Sequence, residues 1–254
     1  MRNESGISLA VISALDDEIC IVKSKMEIDE SVHLRPSLYT VGALNGQSIL
    51  LARSGLGISA MKSATKYCIE RYHPKFFLHV GYCGGADPTY QLGDLVIAKT
   101  ITEAATENKY ESDFSFIEMA KDVCQQSNLR AKEGNLVTVN EVIGIPHEKA
   151  FIGTKYESQA IDMESSAFAE VCAKFKQPCL VVRASLDPLD MTLPHVGESF
   201  LDEEGNTDGF AIVKHLIKRP KDLFKFPRMQ YAVVEARRAI DAFIEGFIQR
   251  WPLK

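Results

Sequence analysis

Short apolar runs alternate with helix-spaced apolar positions along most of this chain. Ile7–Ala14 is a compact, β-branched run, the pattern of a buried strand. Leu38–Val41 and Ser48–Ala52 flank Asn45-Gly46, a strong hairpin-type turn signal, with a loop longer than the tightest hairpin allows. From Ile58 to Tyr72 the spacing becomes helical, with Ile58, Met61, Thr65 and Cys68 on one face, and Pro74 stops it. Phe76–Val80 is the next strand and ends in Gly81, Gly84 and Gly85. Leu95–Lys99, Asn135–Val139 and Cys179–Ala184 are further strands, and Phe116–Gln126 and Asp162–Phe175 further helices. Tyr231–Ile248 is a long amphipathic helix: Ala232, Val233, Ala236, Ala239, Ile240, Phe243 and Phe247 face in, while Glu235, Arg238, Asp241 and Glu245 face out.

Strands alternating with helices predict an α/β fold whose central sheet is mixed, mostly parallel and covered on both faces. No repeat and no Pro/Gly/Ser-rich linker divides the chain, so residues 1–254 read as a single domain. Ligands of such folds sit beyond the carboxyl ends of the strands. That rule directs attention to Leu15–Glu18, Arg53–Gly57, Gly81–Asp87, Thr138–Val142, Asp162–Glu164 and Ser185–Asp190.

Composition narrows the class. The chain has 254 residues, 46% hydrophobic and 25% charged, which is ordinary globular usage. Its net charge of −5 lacks the basic excess of a nucleic-acid binder, so no nucleic-acid partner is expected. No apolar run reaches the roughly 18 residues of a membrane span, and Glu4 is out of place in a secretion signal. A cytoplasmic protein is the expectation. The six cysteines form no CxxC pair, so they read as reduced, buried thiols and no metal is expected.

Five segments carry candidate chemistry. Gly55–Ala60 fits GxGxxA between a strand and a helix, but the acidic residue a dinucleotide fingerprint needs after the next strand is missing. It serves equally as a tight turn, or as an anion or ribose site at a helix end. Gly81-Tyr82-Cys83-Gly84-Gly85 either turns the chain or lets a ligand approach the backbone. Asp16-Asp17-Glu18 follows the first strand, where acids also suit a helix start. In Asp162-Met163-Glu164, Asp162 suits an N-cap and Glu164 the first turn, from which a carboxylate can grip a pair of hydroxyls. Val181–Pro188 delivers Asp187 at the carboxyl end of an apolar strand. A carboxyl beside an apolar pocket can hold its proton near neutrality and act as a general acid; an Asx-Pro turn is the plainer alternative.

In this order the segments resemble the purine nucleoside phosphorylase / uridine phosphorylase superfamily, most closely its methylthioadenosine/S-adenosylhomocysteine nucleosidase branch. The likeness lies in Leu9–Ile19, Arg53–Ala60, Val80–Ile97 and Ala160–Asp187, spanning most of the first 190 residues. A looser likeness to hopanoid-associated phosphorylases lies in Thr138–Val142 with Pro146, Asp187-Pro188, Leu193-Pro194, Asp202–Gly205 and Lys218-Arg219-Pro220. The resemblance implies a nucleoside phosphorylase-like three-layer α/β/α fold, a small-molecule nucleoside as partner, no cofactor, and a homodimer or larger homo-oligomer. The activity it implies is cleavage of the N-glycosidic bond of a purine nucleoside, through an oxocarbenium-like sugar.

Residue by residue, Asp187 matches the family's acid, which protonates the leaving base. Glu18 matches the glutamate that orients and deprotonates water. Glu164 matches the residue holding the ribose hydroxyls, and Met163 lines the sugar. Gly84, Tyr82, Val142 and Ser185 fall at substrate-binding positions. Tyr82 stands where the nucleosidase pattern has Ser, and Val142 near an aromatic that stacks on the base. Phosphate-using relatives carry an Arg at the position of His79 and a Gly-Asp…Arg clamp near the first strand; Leu15-Asp16-Asp17-Glu18 replaces that clamp. Acids there repel phosphate, which favours water as nucleophile, although Arg53 is a candidate anion ligand. The insert from Asp190 to Arg228 suits a lid, a larger pocket for a bulky 5′ substituent, or a subunit contact. The readings left open are a hydrolase, a phosphorylase on the same fold, a nicotinamide dehydrogenase suggested by GxGxxA, and a non-catalytic nucleoside binder. Phe114, Phe116 and His195 are candidates for completing a neighbouring subunit's site.

Overall fold

The chain opens with β1 (Leu9–Ser13), all five residues buried, as expected of an apolar run in the middle of a sheet. A single 3-10 turn (Asp16–Glu18) and the short α1 (Cys20–Ser24) lead into β2 (Glu27–Leu34), β3 (Ser37–Leu44) and β4 (Gln47–Arg53). There follow α2 (Ile58–Tyr72), β5 (Phe76–Gly85), β6 (Leu95–Glu103), β7 (Lys109–Glu111), α3 (Phe114–Gln126) and β8 (Ala131–Thr138). Then come α4 (Pro146–Tyr156), β9 (Ala160–Asp162), α5 (Ser165–Lys174), β10 (Cys179–Asp187) and the long α6 (Phe226–Arg250). This computed structural model describes residues 6–193 and 226–251. Most of the insert from Asp190 to Arg228, with His195, Pro194, Asp202–Gly205 and Lys218-Arg219-Pro220, lies outside the described residues.

The sheet is mixed, as the alternation predicts. Its central pairings, β4–β1–β5–β10, are all parallel. β10–β6, β5–β9 and the β2–β3–β4 meander are antiparallel. Successive residues of β1 enter opposite cores: Leu9 and Val11 pack with α3 and α6 residues such as Val123 and Phe243, Ala10 and Ile12 with α2 and α5 residues such as Met61 and Phe168. Period-two alternation within one strand thus produces two apolar layers from a single apolar run.

The sheet also closes on itself. β5 lies between β1 and β10 over residues 77–79, but at Gly84-Gly85 it pairs with β9. The pairings β5–β10–β6–β8–β9–β5 complete a ring, and β1, β4, β3 and β2 extend from it. The strand therefore runs straight through Gly81–Gly85, where the glycines by themselves predict a turn. Bare backbone at Gly84 and Gly85 lets the Asp187 carboxyl and the Pro188-Leu189 backbone crowd the end of β5.

Other boundaries shift for identifiable reasons. Asn45 and Gly46 both have positive φ (51° and 77°), and Leu44 pairs with Gln47. The loop is therefore the two-residue hairpin after all, the weakly apolar Gly42-Ala43 having hidden the strand end. The helix expected from Asp162 begins at Ser165, because Ala160–Asp162 pairs with β5 and β8. Asp241, expected to face out, is only 5% exposed. α6 is covered by α1 and the 3-10 turn as well as by the sheet and α3, so its buried stripe is wider than the apolar positions alone. No helix among the described residues is long and apolar enough to cross a membrane.

Candidate active site

The site is built where β1, β5 and β10 end side by side. β1 hands the chain to the Asp16–Glu18 turn, which folds Glu18 back over the strand end. One carboxylate oxygen of Glu18, Oε2, accepts from the N–H groups of Ala14 (3.0 Å) and Leu15 (2.9 Å). The other, Oε1, accepts from the Tyr82 N–H on β5 at 3.0 Å. The side chain is 3% exposed. Burial pushes its pKa above the ordinary carboxylate value; the Arg183 guanidinium and the three backbone donors pull against that rise.

Arg183 of β10 faces Glu18 across the end of β5. A Cβ on Gly81 would fall 1.9 Å from Arg183 Nη1 and 2.7 Å from Glu18 Oε1, so only glycine leaves room for both. The guanidinium is fully buried and donates to Ser165 Oγ (2.9 and 3.0 Å) and to Asp162 Oδ2 (2.5 Å). It also meets His79 Nε2, while His79 Nδ1 lies 2.9 Å from the Ile12 carbonyl. Those partners assign a neutral ring, Nδ1–H donating to Ile12 and Nε2 accepting from Arg183. Burial, reinforced by Arg183, holds the His79 pKa well below its ordinary value. His79 thus supplies no cation where phosphate-using relatives carry one.

Asp162 and Glu164 divide the work at the start of α5. Asp162 accepts from Thr138 Oγ1 (2.7 Å), the Ser165 N–H (3.0 Å) and Ser165 Oγ (2.6 Å). It caps α5 although Glu164 occupies the N-cap position. Glu164 is instead held from the GxGxxA segment: Oε1 accepts from the Gly57 N–H at 3.0 Å. Gly57 has φ of +86°, a conformation that glycine adopts without strain. Burial, then the neighbouring Asp162 carboxylate, raises the Glu164 pKa to about 7. The fingerprint-like segment thus positions a carboxylate. Met163, between them, is half-buried.

Asp187 closes the other side. A bulge between Ser185 and Asp187 ends the β10 ladder, a device that re-aims side chains at strand ends. The carboxyl is 4% exposed and lies against Gly84, where a Cβ would come within 3.3 and 3.4 Å of its oxygens. Lys149 Nζ, from α4, stands 2.6 Å from Asp187 Oδ2. Among the described residues that oxygen accepts no well-directed hydrogen bond, so Lys149 acts on it first through charge. Burial raises the Asp187 pKa to about 6, with Lys149 opposing the rise. Ser185 is fully buried, and its hydroxyl has no hydrogen-bond partner among the described residues.

The remaining candidates spread outward. Tyr82 turns its hydroxyl to Asp17 Oδ2 (2.8 Å), and Asp17 pairs with Arg237 of α6 (2.6 Å). Arg53 gives its guanidinium to Asp16 Oδ2 (2.7 Å) and the Pro36 carbonyl (3.0 Å). Val142 is 45% exposed, in the stretch before α4, and joins none of these contacts. Sequence reasoning assigns no role to Arg183 or Lys149. A charge inside the apolar run Val181–Ala184 is a signal for Arg183. Lys149 has none, because α4 is too weakly amphipathic to be recognised as a helix.

The sequence model of the phosphorylase superfamily matches residues 8–218, most of the chain. The chain belongs to the phosphorylase superfamily. Among relatives of this superfamily member, the 5′-methylthioadenosine/S-adenosylhomocysteine nucleosidase of Staphylococcus saprophyticus is 25% identical over 226 residues, covering 83% of this chain and 99% of that one. The nucleosidase of the same name from Neisseria meningitidis, solved with methylthio-immucillin-A, superposes with a TM-score of 0.75 at 19% identity, over 96% of this chain and 99% of that one. The futalosine hydrolase of Helicobacter pylori gives 0.71 at 18% identity, over 94% and 98%. The two structural matches establish the superfamily's fold for this chain.

Proposed function

We propose that this protein is a nucleosidase, using water to cleave the N-glycosidic bond of a purine nucleoside. The observation that carries the reading is the pair of buried carboxyl groups at adjoining strand ends, Glu18 against Gly81 and Asp187 against Gly84. Those glycines are three residues apart near the end of β5, roughly 10 Å of strand, so both carboxyl groups belong to the same strand end. Asp187 gives its proton to a ring nitrogen of the departing base. The C1′–N bond breaks, and water, oriented by Glu18, forms the new C1′–O bond as its proton passes to Glu18. Glu164 accepts hydrogen bonds from the ribose hydroxyls, and Met163 lines the sugar. Gly84, Tyr82 and Ser185 border the substrate, with Val142 at the outer rim. Holding the sugar between acid and water is the proximity contribution to rate.

Water is favoured over phosphate by the charges around the nucleophile's place. Glu18 lies there, Arg53 and Arg237 are engaged by Asp16 and Asp17, the Arg183 guanidinium is taken up by Asp162 and Ser165, and His79 is neutral. The relatives named nucleosidase and the fold match named hydrolase agree with that choice. The reading extends to a single catalytic domain over residues 1–254, a cytoplasmic homodimer or larger homo-oligomer, and a substrate with a bulky 5′ group.

The test is release of free base. Methylthioadenosine, S-adenosylhomocysteine, adenosine and inosine are incubated with the protein, with and without phosphate, and resolved by chromatography. Free base with free sugar in the absence of phosphate is the expected result. Base released only with phosphate, alongside a sugar 1-phosphate, makes the protein a phosphorylase. No release from any of the four overturns the reading for these substrates.

A further inference from the structure

Lys149 is among the largest fully buried side chains of the protein. It reaches inward because α4 packs tightly on the end of β5: one turn on from Lys149, a Cβ on Gly153 would lie 2.8 Å from the Ala86 side chain and 3.0 Å from the Ala86 carbonyl oxygen. Four oxygens surround the ammonium. The carbonyls of Asp187, Pro188 and Met191 accept from Nζ at 3.0, 3.1 and 3.0 Å, and Asp187 Oδ2 lies at 2.6 Å. An ammonium has three N–H donors, and the three carbonyls can use them all. The carboxylate is therefore held chiefly as a counter-charge.

Burying an ammonium costs several kcal/mol unless it is paired. Three carbonyls alone would not justify a full positive charge at this place. A group that loses a proton in the reaction would. Resting on the reading that Asp187 protonates the leaving base, we propose that Lys149 is the positioning residue of that acid. It fixes the carboxyl against Gly84 and neutralises the carboxylate left behind when the proton moves to the base. The balance is simple: Asp187 loses one proton to the base, Glu18 gains one from water, and Lys149 keeps its own throughout. The same ammonium ties down the turn 188–191, so the acid and the turn after it are set by one side chain. Among the described residues the Cys83 thiol of β5 also faces this pair, and burial keeps it protonated.

The experiment follows the Asp187 carboxyl by ¹³C NMR through a pH titration in wild type, K149M and K149R, with kcat and KM measured on whichever nucleoside the release assay identifies. In K149M the Asp187 midpoint should rise by about one pH unit or more, and in K149R it should stay within about half a unit. kcat of K149M should fall about tenfold or more on the plateau where the acid is protonated, with KM changing less than about threefold and K149R restoring most of the rate. An Asp187 midpoint unchanged in K149M overturns the proposal and leaves Lys149 a structural staple. If K149M does not fold, the wild-type protein answers alone: the Lys149 ¹⁵Nζ resonance must shift through the Asp187 transition, and its indifference overturns the proposal. A coupled titration in a protein that releases no base would keep the pairing and remove its catalytic meaning, so the two readings fail separately.

Discussion

Glu18 and Asp187 are both buried carboxyl groups at the ends of neighbouring strands, and the fold holds them in opposite ways. Glu18 is gripped by backbone: three N–H groups from two strand ends point at its oxygens. Asp187 is gripped by one side chain, Lys149, from a helix 38 residues away in sequence. Backbone donors favour the charged, accepting form and offset part of the rise that burial causes, as the proposed water-activating role requires. A lysine beside a desolvated carboxyl stabilises the charged form only partly, leaving a pKa of about 6, as the proposed acid role requires. Burial pushes both carboxyl groups upward and the partners oppose the rise in both; what differs is the kind of partner, backbone N–H groups for one and an ammonium for the other.

The largest test of this contrast is a pair of isosteric substitutions. D187N should lower kcat by about 10²–10⁴ while product base still binds, and it should remove the loss of rate at high pH. E18Q should lower kcat on a similar scale, about 10²–10⁴, and remove the loss at low pH instead. Full pH profiles of kcat/KM with calorimetric titration of the base would check this; identical limbs in the two variants would erase the distinction between the ends.

The contrast also rests on the bare backbone at Gly81, where Glu18 and Arg183 meet. G81A should destabilise the protein by about 2–4 kcal/mol, because a fully buried guanidinium and a backbone-bound carboxylate must both move to admit the methyl. Denaturant unfolding measures it. A cost below about 0.5 kcal/mol would mean that the two groups are loosely held.

The smallest effect concerns pH and stability. Burial raises Glu164 to about 7 and Asp187 to about 6, against ordinary values of 4.5 and 3.8. Between each ordinary value and the raised one, the native state binds more protons than the unfolded chain. Stability therefore falls as pH rises through roughly 4 to 7, and the contribution of each carboxyl is greatest below its ordinary value. E164Q should flatten this slope by about 1–2 kcal/mol across the window, read from Tm at successive pH values. An unchanged slope would mean that Glu164 titrates normally.

Much of this architecture is legible in the order of the residues. β1, α2, α3 and α6 appear in the hydrophobic pattern because each has one dominant period and a clear stop. The candidate carboxylates are legible because each sits at the end of a strand or the start of a helix, a local fact. α4 and β2 escape: α4 shows little amphipathic contrast, and β2 is exposed along nearly its whole length, so neither displays an apolar face. Gly81–Gly85 misleads because glycines signal a turn locally, while here their bareness admits Arg183, Glu18 and Asp187 to a strand. Asp241 misleads because a charge at a helix position normally faces water. It is instead buried against the start of the chain, with its pKa raised to about 7 by desolvation.

Sequence alone determined the alternation of strands and helices, the two-sided core, and the acids placed at the carboxyl ends of the strands. These depend on periodicity and chain punctuation, which act over a few residues. Only the tertiary structure decided that Arg183 meets Glu18 over Gly81, that Gly57 holds Glu164 and that Lys149 holds Asp187. It also decided that the sheet closes through β9. Those pairings join residues tens of positions apart, and they depend on strand register, twist and the approach of a helix to a glycine. No local pattern encodes that geometry, because it is set by how all the layers pack at once.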